Sequence, residues 1–216
     1  MQIQFISKSL LAVLLATQLS ACGILAVGGV AAGASVMADR RTPGVQAIDN
    51  GIEMQANAAL SKKFGDNAHI NVTSFNQKVL LTGEAKDADI KGEADAYVKA
   101  LKNARTVFNE IVIGPNSTYT ARANDSYLES KIKTQMIFTD KLPSNSMSIV
   151  AEGTSVYLMG ILTQNEADLA KKVASNTNGV KAVYVYFDII SDAEKIRLEK
   201  QGKADQTQPT SPPKFQ

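Results

Sequence analysis

The chain has 216 residues, 44% of them hydrophobic and 20% charged, a balance that suits one or two folded domains and excludes a wholly disordered or multiply membrane-spanning chain. Lys plus Arg (23) exceeds Asp plus Glu (21) so slightly that no global field steers it to nucleic acid. With one cysteine it forms no internal disulfide.

At the N-terminus Lys8 precedes an apolar run, Leu10 to Ala16, which has the length of a signal-peptide core and is too short to span a bilayer as an ordinary helix. The run leads into Leu19-Ser20-Ala21-Cys22, which resembles the bacterial lipobox. That resemblance makes residues 1–21 a leader and Cys22 the acylated first residue of the mature protein, bearing acyl chains of the palmitate kind. Each buried CH₂ of such a chain contributes about 0.8 kcal/mol, so several chains anchor a protein permanently. Gly23, where an aspartate would retain an enterobacterial lipoprotein at the inner membrane, implies the outer membrane. Residues 22–45 read as a Gly/Ala-rich tether, ending in the linker-like Arg40 to Gly44.

Beyond residue 45 the apolar positions become periodic. Asp49 is expected to cap a helix whose stripe is Ile52, Ala56, Ala59, Leu60 and Phe64. Two strands follow, Ile70 to Thr73 and Val79 to Gly83. A helix capped by Asp87 then carries Ile90, Ala94, Tyr97, Val98 and Leu101 on one face, and a β-rich run spans Thr106 to Ile113. After the turn-forming Gly114-Pro115-Asn116-Ser117 the pattern recurs. Asp125 precedes Leu128, Ile132 and Met136, and the strand pair returns 77 positions on as Met147 to Val150 and Val156 to Gly160. Thr163-Gln164-Asn165-Glu166 forms a capping box, its helix stops at Asn178-Gly179, and Val183 to Ile190 supplies the last strand. That strand matches at an offset of 76, which suggests a one-residue deletion near the end of the second helix.

Each copy therefore reads helix, strand, strand, helix, strand: an α+β unit with two helices on one face of a three-stranded sheet. The modules occupy 46–114 and 124–190, joined by a linker at 115–123, and 191–216 is a charged, then Pro-rich tail expected to be largely disordered. Units this small are near the lower limit for independent folding, so packing between the copies is expected. Gly83 and Gly160, inside strands, fit a bulge or a close approach beneath a helix.

The arrangement resembles the BON domain family of bacterial envelope proteins over residues 46–190. Its markers are Ile70-Asn71-Val72 and Lys78 to Gly83 in the first copy, with Val156 to Gly160 and Gly179-Val180-Lys181-Ala182-Val183 in the second. Two such copies behind a lipobox resemble the dual-BON lipoproteins of Gram-negative bacteria. The resemblance implies a non-enzymatic protein on the periplasmic side of the outer membrane, which binds anionic phospholipid through its second domain and supports envelope integrity. A protein-docking adaptor for outer-membrane assembly or cell-wall proteins is the other reading. Asn109 keeps the asparagine common in the last strand of these domains, whereas Val185 replaces it in the second copy.

The residues themselves single out the second copy. On a helical wheel Tyr127, Lys131, Thr134 and Phe138, with Lys141 and Leu142 at the helix end, gather beside the core stripe. The positions matched to Tyr127, Thr134 and Phe138 at an offset of 77 are the polar Asn50, Asn57 and Ser61. Aromatic rings suit the bilayer interface, and lysines meet anionic headgroups there. Packing of Tyr127 and Phe138 against the first module is the competing expectation.

Chemistry-bearing sets are scarce. His69 is the one histidine, expected at a strand edge, and with Cys22 acylated no Cys/His dyad or zinc cluster is expected. Asp87, Asp89, Glu93 and Asp95 lack calcium-loop spacing, and Gly28-Gly29 follows no strand. The expectation is no catalytic residue, no metal, no cofactor and no nucleic-acid partner.

Overall fold

The computed structural model describes residues 39–207; the leader and Cys22 lie outside the described residues. Helix α1 spans Pro43–Phe64, strands β1 and β2 are Ala68–Phe75 and Lys78–Ala85, and helix α2 is Ala88–Lys99. The short strands β3 (Thr106–Asn109) and β4 (Val112–Ile113) complete the first module. The second repeats it with α3 (Tyr119–Ile137), β5 (Met147–Glu152), β6 (Ser155–Leu162), α4 (Gln164–Ser175) and β7 (Ala182–Ile189), followed by α5 (Asp192–Thr207).

In each module the first two strands form an antiparallel hairpin and the last strand returns parallel to the middle one after a helical crossover. The two helices cover one sheet face. Ile52, Ala56 and Leu60 of α1 meet Val79, Leu81, Ala94 and Val98, while Leu128, Ile132 and Met136 of α3 meet Val156, Leu158, Ala170 and Ala174. The expected α+β architecture is therefore present twice.

The helix starts differ from the sequence expectation. Thr42 caps α1 with Pro43 in its first turn, and Thr118 caps α3, so residues read as tether and linker are helical or bound. Asp49 instead lies inside α1, fully buried, and ties the helix to the β1–β2 turn. Its carboxylate accepts hydrogen bonds from Ser74 Oγ (2.8 Å), Asn76 N (2.8 Å) and Gln77 N (2.7 Å). Asn76 and Gln77 both have positive φ, the geometry of a two-residue hairpin loop, and their N–H groups need such an acceptor. Asp125 does the same for Gly153 in the second hairpin. Asp87 and the Thr163/Glu166 box do cap α2 and α4 as read.

The buried stripes align Ile52 with Leu128, Ala56 with Ile132 and Leu60 with Met136, an offset of 76 rather than 77. The cap pair Asp87 and Thr163 is also 76 apart, so the second copy loses its residue at the strand-to-helix junction, not near the end of α4. Gly83 sits at φ +105°, where a Cβ would meet the His69 carbonyl oxygen at 2.0 Å, so a neighbouring backbone accounts for it. At Asn109 the side chain accepts from Ile111 N and donates to the Lys91 carbonyl, breaking the last strand into β3 and β4. Val185 has no side-chain amide to compete with the ladder, and β7 runs unbroken for eight residues.

The helix-free faces of the two sheets pack on each other. Phe75, Leu80 and Phe108 of the first module meet Val150, Tyr157, Met159, Ile161 and Tyr186 of the second, with Phe108 and Tyr186 stacked 4.1 Å apart. Tyr186 donates its hydroxyl to Glu110 (2.7 Å), and Lys78 pairs with Asp188 (2.7 Å). The segment beyond 190 is not a free tail at its start: α5 lays Leu198 on this seam. Arg40, read as linker, is 4% exposed. Its guanidinium donates to Glu166 (2.7 and 2.9 Å), to Glu199 of α5 (2.8 Å) and to the Ile161 carbonyl (2.8 Å). Arg41 binds Asp49 (2.9 Å) and lies over the Phe75 ring.

Candidate functional site: the outer face of α3

Because the modules join through their sheets, α3 keeps its outward face. Tyr127 is 65% and Phe138 78% exposed, so neither packs on the first module. With Lys131 and Thr134 they follow a spacing of four, three and four residues, one stripe of the helix turned away from Leu128, Ile132 and Met136. Ile137 and Tyr119, also exposed, extend the apolar surface along the same helix; the sequence reading missed both. Their signal was available, since neither falls on the buried stripe.

Lys131 donates one Nζ proton to the Asn178 carbonyl (3.1 Å), fixing it over the loop before β7 while leaving two donors. Thr134 donates to the Ser130 carbonyl (2.8 Å), which satisfies its hydroxyl locally. Lys141 is exposed in the turn after α3, where its φ of 66° reverses the chain. Leu142 does not belong to the face. It is buried with Leu128, Met136 and Met147, because that reversal points residue 142 inward. Lys133 is also diverted: its ammonium donates to the Ser144 carbonyl, and burial pushes its pKa down.

At the corrected offset of 76, Tyr127, Lys131, Thr134 and Phe138 correspond to Gly51, Gln55, Ala58 and Lys62, not to the positions first matched. The contrast survives, since α1 carries no aromatic residue on this face. Among the described residues no helix is long and apolar enough to cross a membrane.

A second polar site lies at the edge of the seam. His69 and Glu84 are cross-strand partners, 3.4 Å apart between Nδ1 and Oε2, and face Glu152 of β5. Burial, then the Arg122 charge, lowers the His69 pKa. Burial beside Glu84 and Asp125 raises Glu152 to about 7. Glu166 shows the opposite balance: despite burial, the hydrogen bonds from Arg40 and Lys195 hold it at about 2.

Two tandem α+β units that meet sheet to sheet, with the helices of both turned outward, define a double-module protein. The BON domain matches residues 49–115 and 124–190. The chain belongs to the BON domain family. It is 31% identical over 171 residues to the outer membrane lipoprotein DolP of Haemophilus influenzae, covering 78% of this chain and 89% of that protein. It is 29% identical over 147 residues to the 21 kDa hemolysin of Actinobacillus pleuropneumoniae, covering 67% of this chain and 76% of that one. Among solved structures, CdsD, a structural protein of the type III secretion system of Chlamydia trachomatis, aligns over 74% of this chain and 70% of its own at 14% identity and a TM-score of 0.27, which bears on neither arrangement nor function.

Proposed function

We propose that the protein is a non-enzymatic lipoprotein, anchored through Cys22 to the periplasmic side of the outer membrane, whose second module holds the body against anionic phospholipid and thereby supports envelope integrity. The observation that carries this reading is the exposed stripe of Tyr127, Lys131 and Phe138 on α3, present on one of two otherwise equivalent helices. The DolP likeness supports the anchor and the compartment.

The energetics set how the face works. Burying a large apolar side chain contributes about 1.5–3 kcal/mol, partial interfacial burial less, and each lysine near an anionic surface about 1 kcal/mol. Two aromatics with Lys131 and Lys141 then total roughly 5 kcal/mol, a dissociation constant in the high micromolar range. Such a site needs a tether to stay occupied. The chain joins the described body at Asp39, whose charge acts on Lys133 of α3. A lipid on Cys22 would supply that tether.

Flotation of the unlipidated protein with millimolar vesicles tests this. Binding to phosphatidylglycerol-rich vesicles and not to phosphatidylcholine vesicles is expected. The adaptor reading draws on the exposed Tyr184, Val185 and Ile189 of the edge strand β7. Failure to float with either lipid, together with capture of an envelope protein through β7, would replace the membrane reading with that one.

A further inference from the structure

The seam between the modules is apolar at its centre and acidic at one edge. Glu84 and Glu152 meet there from different modules, with Asp125 near enough to raise the charge repulsion further. Among the described residues no lysine or arginine pairs with either carboxylate: the nearby Arg122 donates instead to the Ser117 hydroxyl (3.1 Å) and carbonyl (3.0 Å). One donor atom each from His69, Glu84 and Glu152 lies within 4.8 Å of the other two.

Two polar atoms at this edge are shut from solvent without a well-formed hydrogen bond. One is His69 Nδ1, shielded from solvent and 3.4 Å from Glu84 Oε2. The other is the hydroxyl of Thr82, a residue only 1% exposed that lies beside the Glu152 carboxyl and on the same sheet face as Glu84. Glu84 accepts from Ser117 N (3.0 Å) and Glu152 from Asn71 Nδ2 (3.4 Å), neutral donors that leave the two facing charges uncompensated, and a cation between them would supply that compensation. A cavity of about 410 Å³, lined by His69, Asn71, Asp125 and Glu152, opens onto the cluster and leaves room for an entering ion and its water.

We propose that His69, Glu84 and Glu152 bind a divalent transition-metal ion of the zinc type, which clasps the two modules at the edge of their seam. A neutral imidazole nitrogen with two carboxylate oxygens is a borderline set that suits zinc, cobalt or manganese, whereas calcium and magnesium favour oxygen alone. Three protein ligands leave a fourth position for water. Thr82 is placed to donate to a ligating carboxylate, the supporting role that second partners of metal ligands fill. The sequence hides this site because Glu84 is 15 and Glu152 83 positions from His69, and the two modules each hold part of it. The proposal is independent of the membrane reading, since the α3 stripe contributes none of the ligands.

The test is calorimetric titration of the untagged, chelator-stripped protein with zinc chloride and, separately, calcium chloride. One zinc per chain is expected, with a raised unfolding temperature and no response to calcium. His69→Ala and Glu152→Gln should each weaken zinc binding at least tenfold. If His69→Ala fails to fold, Glu152→Gln, which changes no side-chain volume, decides alone. No binding at about 100 µM zinc overturns the proposal. So does zinc binding of unchanged strength in Glu152→Gln, which would locate the ion elsewhere on the surface.

Discussion

Replacing Arg40 with alanine should destabilise the folded body far beyond what a residue next to a tether would suggest. The guanidinium is buried and makes four hydrogen bonds, two of them a bidentate pair with the equally buried Glu166. Removing one partner of a buried ion pair costs about 3–5 kcal/mol, because the other charge stays behind. Lys195 remains 2.8 Å from Glu166 and offsets part of this, so about 3 kcal/mol is expected. For a body of this size that lowers the unfolding temperature by about 6–12 °C. The loss should shrink in Arg40→Ala/Glu166→Gln, where the stranded charge is gone. Acid provides a second readout. Glu166 is held at about 2, below its ordinary value of 4.5, so its stabilisation is complete above 4.5 and disappears as pH falls toward 2. Arg40→Ala should flatten the stability profile over that window. Thermal unfolding followed by circular dichroism between pH 2 and 7 measures both, and a shift under 2 °C with an unchanged acid profile would refute the reasoning.

Three other outcomes follow from the same geometry. Tyr127→Ser with Phe138→Ser should leave the fold intact and weaken vesicle binding about a hundredfold, since about 3 kcal/mol of interfacial burial is lost; flotation and circular dichroism read the two effects separately. In metal-free buffer Glu152→Gln should stabilise the protein by about 1–2 kcal/mol above pH 7, allowing for solvent screening, because the raised pKa makes the charged form a burden there. That gain should vanish below pH 4.5, and urea melts at pH 4.5 and 8 would show it. Gly83→Ala should cost about 2–4 kcal/mol, whereas Gly51→Ala, in open space within α1, should stabilise by about 0.5–1 kcal/mol; paired denaturant titrations compare them.

The helices and hairpins were legible because their apolar residues recur at periods of 3.6 and 2. The helix starts were not. An aspartate ahead of an apolar stripe is the usual cap signal, yet Asp49 and Asp125 are spent on hairpin turns that the sequence does not bring near them. The seam left a trace that periodicity alone does not resolve: Val79-Leu80-Leu81 is apolar on both faces, the mark of a strand covered twice. Arg40 and Glu199 are 159 positions apart, and no local pattern joins them. On α3 the aromatic stripe was readable from the helical wheel, but not whether it packs on the first module; nor was Leu142, because its direction depends on the positive φ of Lys141. Carrying the hairpin's offset of 77 over to the first helices blurred the comparison of α1 with α3, although Gly51 and Lys62 leave the contrast intact.

An NMR titration of the unlipidated protein with anionic and with zwitterionic micelles puts the account under the most direct strain. Chemical-shift changes confined to residues 119–141, centred on Tyr127, Lys131 and Phe138 and seen with anionic micelles alone, are predicted. Changes centred on β7 or on α1, or equal responses to both micelles, would contradict it.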